Sequence, residues 1–432
     1  MTHNNQEISY AGKCIRCGLC MSVCPVYQVS LDETDVARGK MALLEWEQSH
    51  TDIKKSTRFK QAISRCLLCG ACTNICPNQV PINDCIQTVR QKISLNVKEK
   101  LVISSMYTFS NLSRSGYIFR KSGSILQKCV GKKFPELSGL HLRFPMASLS
   151  ARKYIPKINA EPFTSHYTFT PTSSKKILYF TGCGANYMFH QTALALTEIL
   201  KQNNHPAFVP ENQMCCGLPF YAAGDNQKAA SLAKKNIDII EKFSPDIVLT
   251  TCASCGAQIH QWKQLLKNDS DYEKRARKIA NLQKDATTFL LENNYIKNNL
   301  PDRRDAIIET IWYHHPCHMR WGETRLPVPK ELFSFFDKVN VIYSDNQCCG
   351  NGGKFQISHF DLSMKIFETR MDLFRQHKID RVLTSCTGCH LQFSEGLLQN
   401  KLPVSVMHPL EWLYLLSPER ALQKSPGQRP KK

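Results

Sequence analysis

Cys14-Ile15-Arg16-Cys17-Gly18-Leu19-Cys20-Met21-Ser22-Val23-Cys24-Pro25 and Cys66-Leu67-Leu68-Cys69-Gly70-Ala71-Cys72-Thr73-Asn74-Ile75-Cys76-Pro77 are one pattern written twice. Three cysteines at i, i+3 and i+6 wrap three irons of one cubane, while the fourth, followed by proline, is carried away to the partner cluster. The expected ligand sets are therefore crossed: Cys14, Cys17 and Cys20 with Cys76, and Cys24 with Cys66, Cys69 and Cys72. Crossing holds two [4Fe–4S] clusters close together, although 41 residues separate Cys24 from Cys66. Together they form a two-electron relay. A pair of zinc sites would use four ligands in local pairs, which leaves the third cysteine of each triplet and both Cys-Pro steps unexplained.

A second kind of cysteine pattern begins at Lys175. The apolar run Ile177-Leu178-Tyr179-Phe180 leads into Thr181-Gly182-Cys183, and after 31 intervening residues come Cys215-Cys216-Gly217. After a further 34 residues, at the end of the strand pattern Ile247-Val248-Leu249, stand Cys252 and Cys255. The set recurs as Cys317, then Cys348-Cys349-Gly350, then Cys386 and Cys389, at offsets of 133 or 134 residues, which marks an internal duplication with one indel. In each copy apolar strands alternate with helical stretches (Tyr187–Lys201, Asn226–Lys242, Ser363–Gln376), and ligands at strand ends suit βαβ units. Adjacent cysteines point apart from one backbone and can bind separate irons. Five thiolates exceed what a simple cubane or a tetrahedral zinc takes, so each set reads either as a non-cubane cluster or as four ligands plus a spare. Two such lobes are expected to be related by a pseudo-two-fold, with their cysteines facing a shared cleft.

These sets resemble the duplicated cysteine-rich (CCG) domains of the heterodisulfide reductase B subunit, and the whole chain resembles the glycolate oxidase iron–sulfur subunit family. Ala37-Arg38-Gly39-Lys40, Thr181-Gly182-Cys183, His315-Pro316-Cys317-His318 and Cys348-Cys349-Gly350 stand where that family carries similar runs. The resemblance implies one or two further, non-cubane clusters held by Cys183, Cys215, Cys216, Cys252 and Cys255 and by Cys317, Cys348, Cys349, Cys386 and Cys389. It implies an electron-transfer subunit that takes electrons from a partner FAD-linked 2-hydroxy-acid oxidase or dehydrogenase, acting on glycolate or D-lactate, and passes them towards the quinone pool. The anaerobic glycerol-3-phosphate dehydrogenase C subunit shares the plan, and a heterodisulfide-reductase-like catalytic subunit is the other reading it permits. No Gly-x-Gly-x-x-Gly and no phosphate loop is present, so substrate oxidation belongs to a separate protein.

Several residues invite other readings. Cys386-Thr387-Gly388-Cys389-His390 matches a haem attachment pattern, but the matching motif of the first copy ends in Gly256, so His390 is outside the repeated chemistry. His314, His315 and His318 flank Cys317 and could tune a cluster by hydrogen bonding, although strand-end histidines are usually structural. Arg38 is expected to be exposed, and Cys85, off the ligand spacing, to be a buried thiol.

Of the 20 cysteines, 18 fall into these sets, as ligation in a reducing compartment requires. The polar start Met1–Glu7 and the lack of any run of ~18 apolar residues predict a cytoplasmic chain, peripheral on the inner face of the plasma membrane. The net charge of +20 is concentrated: residues 91–175 hold 14 Lys and Arg against Glu99, Glu136 and Glu161. Basic residues such as Arg114, Arg120, Lys121 and Lys128, interleaved with apolar ones, suit an anionic membrane surface. Nucleic acid is not indicated, because no helix-turn-helix or zinc-finger spacing accompanies the charge. The expected fold class is α/β overall. It consists of a mainly helical ferredoxin-like two-cluster domain (1–95), a basic connector (96–174), a first CCG repeat (175–267), a helical linker (268–305), a second CCG repeat (306–420) and a basic tail (421–432).

Overall fold

The computed structural model describes residues 10–93, 97–110, 114–134, 139–142, 154–167, 175–300, 307–322, 325–343 and 347–417. The polar start, Glu136, Pro145, Pro171, the tail 421–432 and the side chains of Arg114, Lys128, Lys132 and Lys133 lie outside the described residues.

The N-terminal domain is built on the two cysteine loops. In each, the residue two after the first cysteine (Arg16, Leu68) and the glycine two further on (Gly18, Gly70) have left-handed backbone, with φ of 56°, 52°, 86° and 82°. This curls the loop so that its thiols converge, and glycine adopts such a φ without steric cost. Short helices follow at Leu19–Val23 and Ala71–Ile75, and each ends before its Cys-Pro step, where proline disfavours helical backbone. The helix Ala37–Ser49 buries Ala37, Lys40, Met41 and Leu44, one face at helical spacing. With Phe59, Ile63, Ile86 and Val89 these residues make the domain core, which also encloses Cys85.

The connector supplies helices Val97–Ser110 and Arg114–Val130 and three antiparallel strands, β1 (Gly131–Phe134), β2 (Gly139–Leu142) and β3 (Tyr154–Pro156), in that order. Arg120 does not belong to a surface patch. It is 2% exposed, donates to Phe109 O and Ala160 O, and lies over the Tyr187 ring at 4.2 Å.

Both repeats are parallel α/β lobes. The first has β4 (Ile177–Tyr179), β5 (Ile247–Thr250) and β6 (Gln283–Asp285), ordered β4-β5-β6, with Phe208 bridged to Leu178 beside β4. The second has β7 (Glu309–Tyr313), β8 (Val339–Tyr343), β9 (Arg381–Leu383) and β10 (Ser405–Met407), ordered β10-β9-β7-β8. The two arrangements coincide when Phe208 is taken as the counterpart of β8. Strand order then reverses between β4 and β5 and between β7 and β9, and ligands of open α/β sheets gather at such switch points. The charged stretch between the repeats is thus more than helix, because it contributes β6 to the first sheet. The helical pattern over Ser363–Gln376 is broken into Phe360–Glu368 and Met371–Gln376, where Arg370 turns inward and donates to Ile366 O at 2.6 Å and to Cys348 O.

Arg90, half-buried at the end of helix Ile82–Lys92, joins the first domain to the first lobe. Its guanidinium donates to Ile63 O (2.9 Å) and Cys66 O (2.6 Å) and, across the junction, to Ala222 O (2.8 Å). Ser64 Oγ meets His359 Nε2 of the second lobe at 2.9 Å, and Lys354 pairs with Glu99 at 2.7 Å. Arg90→Met leaves these carbonyls without a donor, so we expect a loss of about 3 kcal/mol, since hydrogen bonds to charged groups are each worth about 1.5–3 kcal/mol. Denaturant midpoints measure it, and a change too small to resolve would refute the role.

Candidate metal centres

Cys14, Cys17, Cys20 and Cys76 line one cavity together with Ile15, Met41, Val80 and Ile82, and no carboxylate or imidazole is among its lining residues. Arg38 lines the same cavity and pairs with Glu33 at 2.5 Å, its side chain 31% exposed. The other four thiols gather separately, since Cys24 and Cys66 lie within electrostatic reach of one another and Cys72 senses both. Cys69 senses Cys24 and Cys72. The structure therefore brings the distant Cys-Pro cysteine to each triplet. Burial raises the Cys24 thiol to about 11 and pushes Cys69 and Cys72 well above the ordinary thiol range. Enclosed thiols of this kind become stable as thiolates when a cation takes up their charge. An all-sulfur donor set in an apolar shell fits an iron–sulfur cubane.

In the repeats the ten thiols form one continuous sequence of neighbours, each within electrostatic reach of the next. It runs Cys183, Cys215, Cys216, Cys255, Cys252 and then Cys386, Cys389, Cys349, Cys348, Cys317. Read from either end, the order of equivalent positions is the same, so the pseudo-two-fold passes between Cys252 and Cys386. The lobes are tied there by Ala253 N donating to Ser385 O at 2.8 Å, and Gly184 has no room for a side chain because Thr387 stands against it. Eight of the ten thiols are buried, with Cys183 and Cys317 half-buried. Hydrogen bonds from Cys215 and Cys255 bring Cys216 down to about 6. In the second lobe Gly350 N and Asn351 N point at the sulfurs of Cys348 and Cys349, at 3.5 and 3.4 Å, as donors to thiolate do. Five contiguous sulfurs per lobe fit a multi-iron centre.

The two kinds of site adjoin one another. Cys69 of the first domain and Cys348 and Cys317 of the second lobe feel each other's charge, so sulfur follows sulfur from the N-terminal cavity to Cys183. The sequence pattern gave no role to the groups that hold this line in place, although Lys40 stands in the run Ala37-Arg38-Gly39-Lys40. Lys40, 1% exposed, donates to Thr34 O (2.8 Å), lies 3.9 Å from Asp35 and places its ammonium beside Cys66 and Cys24. Asn236 Nδ2 and Trp262 Nε1 donate to the carbonyls of Cys215 and Cys216 at 3.0 and 2.9 Å. Their only sequence signal is a polar or aromatic residue at the inward position of an amphipathic helix. His390 stacks on Phe189 at 4.0 Å, and His318 Nδ1 meets Ser254 Oγ at 2.9 Å.

If Cys24 serves the distant triplet, Cys24→Ser will remove or alter the centre of Cys66, Cys69 and Cys72 and spare that of Cys14, Cys17 and Cys20. Iron analysis with EPR of the full-length protein distinguishes this from the reverse loss, which would show the sets to be uncrossed.

Known protein families match the stretches that hold both kinds of cysteine set. Residues 10–80 match the 4Fe-4S dicluster domain family, and residues 177–260 and 311–394 each match the cysteine-rich domain family. The probable glycolate oxidase iron–sulfur subunit of Bacillus subtilis is 26% identical over 406 residues, covering 89% of this chain and 88% of the relative. The glycolate oxidase iron–sulfur subunit of Escherichia coli is 24% identical over 426 residues, covering 95% and 94%. The D subunit of the dihydromethanophenazine:CoB–CoM heterodisulfide reductase of Methanosarcina acetivorans is 24% identical over 411 residues, covering 89% and 88%. The chain thus carries a 4Fe-4S dicluster domain followed by two copies of the cysteine-rich domain, the plan of an iron–sulfur protein.

Proposed function

We propose that this protein is the electron-transfer subunit of a 2-hydroxy-acid dehydrogenase. A separate FAD-dependent subunit oxidises glycolate or D-lactate, and the electrons continue through this chain towards membrane quinone. The observation that carries the reading is the unbroken succession of sulfurs from Cys14 and Cys76, through Cys24, Cys66, Cys69 and Cys72, to Cys317 and on to Cys183. Iron–sulfur clusters at these positions would carry electrons one at a time. Cys14, Cys17, Cys20 and Cys76 hold one [4Fe–4S] cluster in this reading, and Cys24, Cys66, Cys69 and Cys72 hold the other. The five cysteines of each repeat hold a non-cubane centre. Cys17 is exposed, which makes the N-terminal cavity the entry that a flavin-bearing partner can approach. The glycolate oxidase names of the relatives support the substrate class. The heterodisulfide reductase name supports a second reading, reduction of a disulfide at the repeats themselves.

Mixing the anaerobic protein with a purified FAD-dependent glycolate or D-lactate dehydrogenase subunit, then adding glycolate or D-lactate, should bleach the cluster absorbance, and a soluble quinone should restore it. Bleaching by glycerol-3-phosphate alone would assign the partner to that substrate. Disulfide reduction without any flavoprotein would replace this reading with the second.

The acceptor's solubility in lipid gives the chain a reason to meet the membrane. Among the described residues no helix is long and apolar enough to cross one. The helix Arg114–Val130 exposes Ile118, Phe119, Ile125 and Leu126, and Lys121 beside them is exposed too. Apolar side chains flanked by cations suit shallow insertion among anionic headgroups, where each basic residue is worth about 1 kcal/mol. The protein should co-sediment with anionic vesicles and be released by high salt. Lys121→Gln with Phe119→Ser should weaken that binding at unchanged iron content. Equal absence of binding to neutral and anionic vesicles at low salt would leave this face as a protein-docking surface.

A further inference from the structure

The two repeats carry equal sets of sulfurs, but the groups around those sulfurs differ. At the 134-residue offset that relates Cys183 to Cys317, Phe180 corresponds to His314, Asn186 to Arg320 and Asn236 to Arg370. The last equivalence is also structural. Asn236 Nδ2 donates to Cys215 O at 3.0 Å, and Arg370 donates to the matching carbonyl of Cys348.

Phe180 is an ordinary core residue, 1% exposed and edge-on to Trp262. His314 takes its place in the second lobe at 0% exposure, 4.8 Å from the Phe393 ring, and neither Nδ1 nor Nε2 has a hydrogen-bond partner among the described residues. An imidazole buried with both nitrogens unsatisfied is costly where phenylalanine would fit, because each unmade hydrogen bond carries the full desolvation penalty. What surrounds the ring accounts for it. A nitrogen of His314 and the sulfurs of Cys349 and Cys389 all lie within 4.8 Å of one another, which is the spacing of ligand atoms around a single metal.

We propose that the centre of the second repeat takes an imidazole nitrogen from His314 beside its cysteine thiolates, and that its reduction potential lies above that of the centre in the first repeat. This rests on the reading of both five-cysteine sets as iron–sulfur sites. Five thiolates and an imidazole are one donor more than the first repeat offers, and where the neutral nitrogen takes the place of one thiolate on iron, leaving that cysteine as a thiol, it removes negative charge and raises the potential of the cluster. The surroundings push the same way, since Arg320 and Arg370 are 8% and 1% exposed and their positive charge favours the added electron. The first repeat offers two neutral asparagines at those positions. Near its sulfurs stands the Asp285 carboxyl, raised to about 6 chiefly by burial, with the charge of Cys252 adding to the rise. An electron leaving the centre of Cys24, Cys66, Cys69 and Cys72 oxidises that centre by one and reduces the adjoining second-repeat centre by one. It comes to rest there in preference to the first repeat, with no proton required.

The test uses the full-length protein, purified anaerobically and labelled with 15N only in histidine. Pulsed EPR should show a histidine nitrogen coupled to one centre, 14N in unlabelled protein and 15N in labelled protein, and His314→Phe should abolish it. In potentiometric titrations His314→Phe should lower the potential of that centre alone. Arg370→Asn should lower it as well, with the nitrogen coupling retained. Full iron and sulfide content without any histidine coupling in the labelled native protein would overturn the inference even if the variant failed to fold. Iron and sulfide sufficient only for the two N-terminal clusters would instead remove the reading on which it rests.

Discussion

Buried sulfur governs this structure. Eight of the ten repeat thiols are buried, and the two innermost, Cys252 and Cys386, meet across the contact between the lobes. A thiolate in such a place is unfavourable unless it ligates a cation or receives hydrogen bonds. Both lobes therefore present their strand ends to a common axis and spend backbone donors there, Gly217 N and Leu218 N in the first and Gly350 N and Asn351 N in the second. The parallel sheets supply the geometry. Each puts its switch point, between β4 and β5 or between β7 and β9, where three cysteine-bearing loops converge.

A second layer of side chains holds those loops by their carbonyls. Arg90 reaches Cys66 O, Arg370 reaches Cys348 O, and Asn236 and Trp262 reach Cys215 O and Cys216 O. Fixing the carbonyl fixes the peptide plane and so the direction of the cysteine side chain, which makes these residues positioning groups for the metal sites. Two of the four are cationic, and Lys40 adds a buried ammonium beside Cys66. Some of the chain's positive charge is thus directed inward, towards the sulfurs of the cysteine sets.

Spacing made much of this readable in the sequence. Both cysteine patterns, the duplication and the strand runs ending at Cys183 and Cys252 are local regularities, and local regularities survive without coordinates. The proximity of Cys69 to Cys348 is different in kind, because it depends on how the first domain packs on the second lobe, and that packing rests on single contacts such as Ser64 with His359. Arg120 looked like part of a basic surface because its neighbours in sequence are basic, and only the fold reveals the carbonyls of Phe109 and Ala160 that accept from it. Arg370 interrupts a helical pattern whose periodicity carries no trace of the inward turn. The strand Gln283–Asp285 is too short and polar to register as one, since its pairing with β5 is set by tertiary position.

The place of Cys252 and Cys386 at the lobe contact also makes them reporters of motion. They come one from each lobe and are 6% and 5% exposed, so as free thiols they react with an alkylating reagent more readily when the lobes part than when they are closed. Cys183 and Cys317, half-buried at the two ends of the row, do not depend on that opening in the same way. The difference between the two pairs in rate of labelling therefore follows how often the lobes separate.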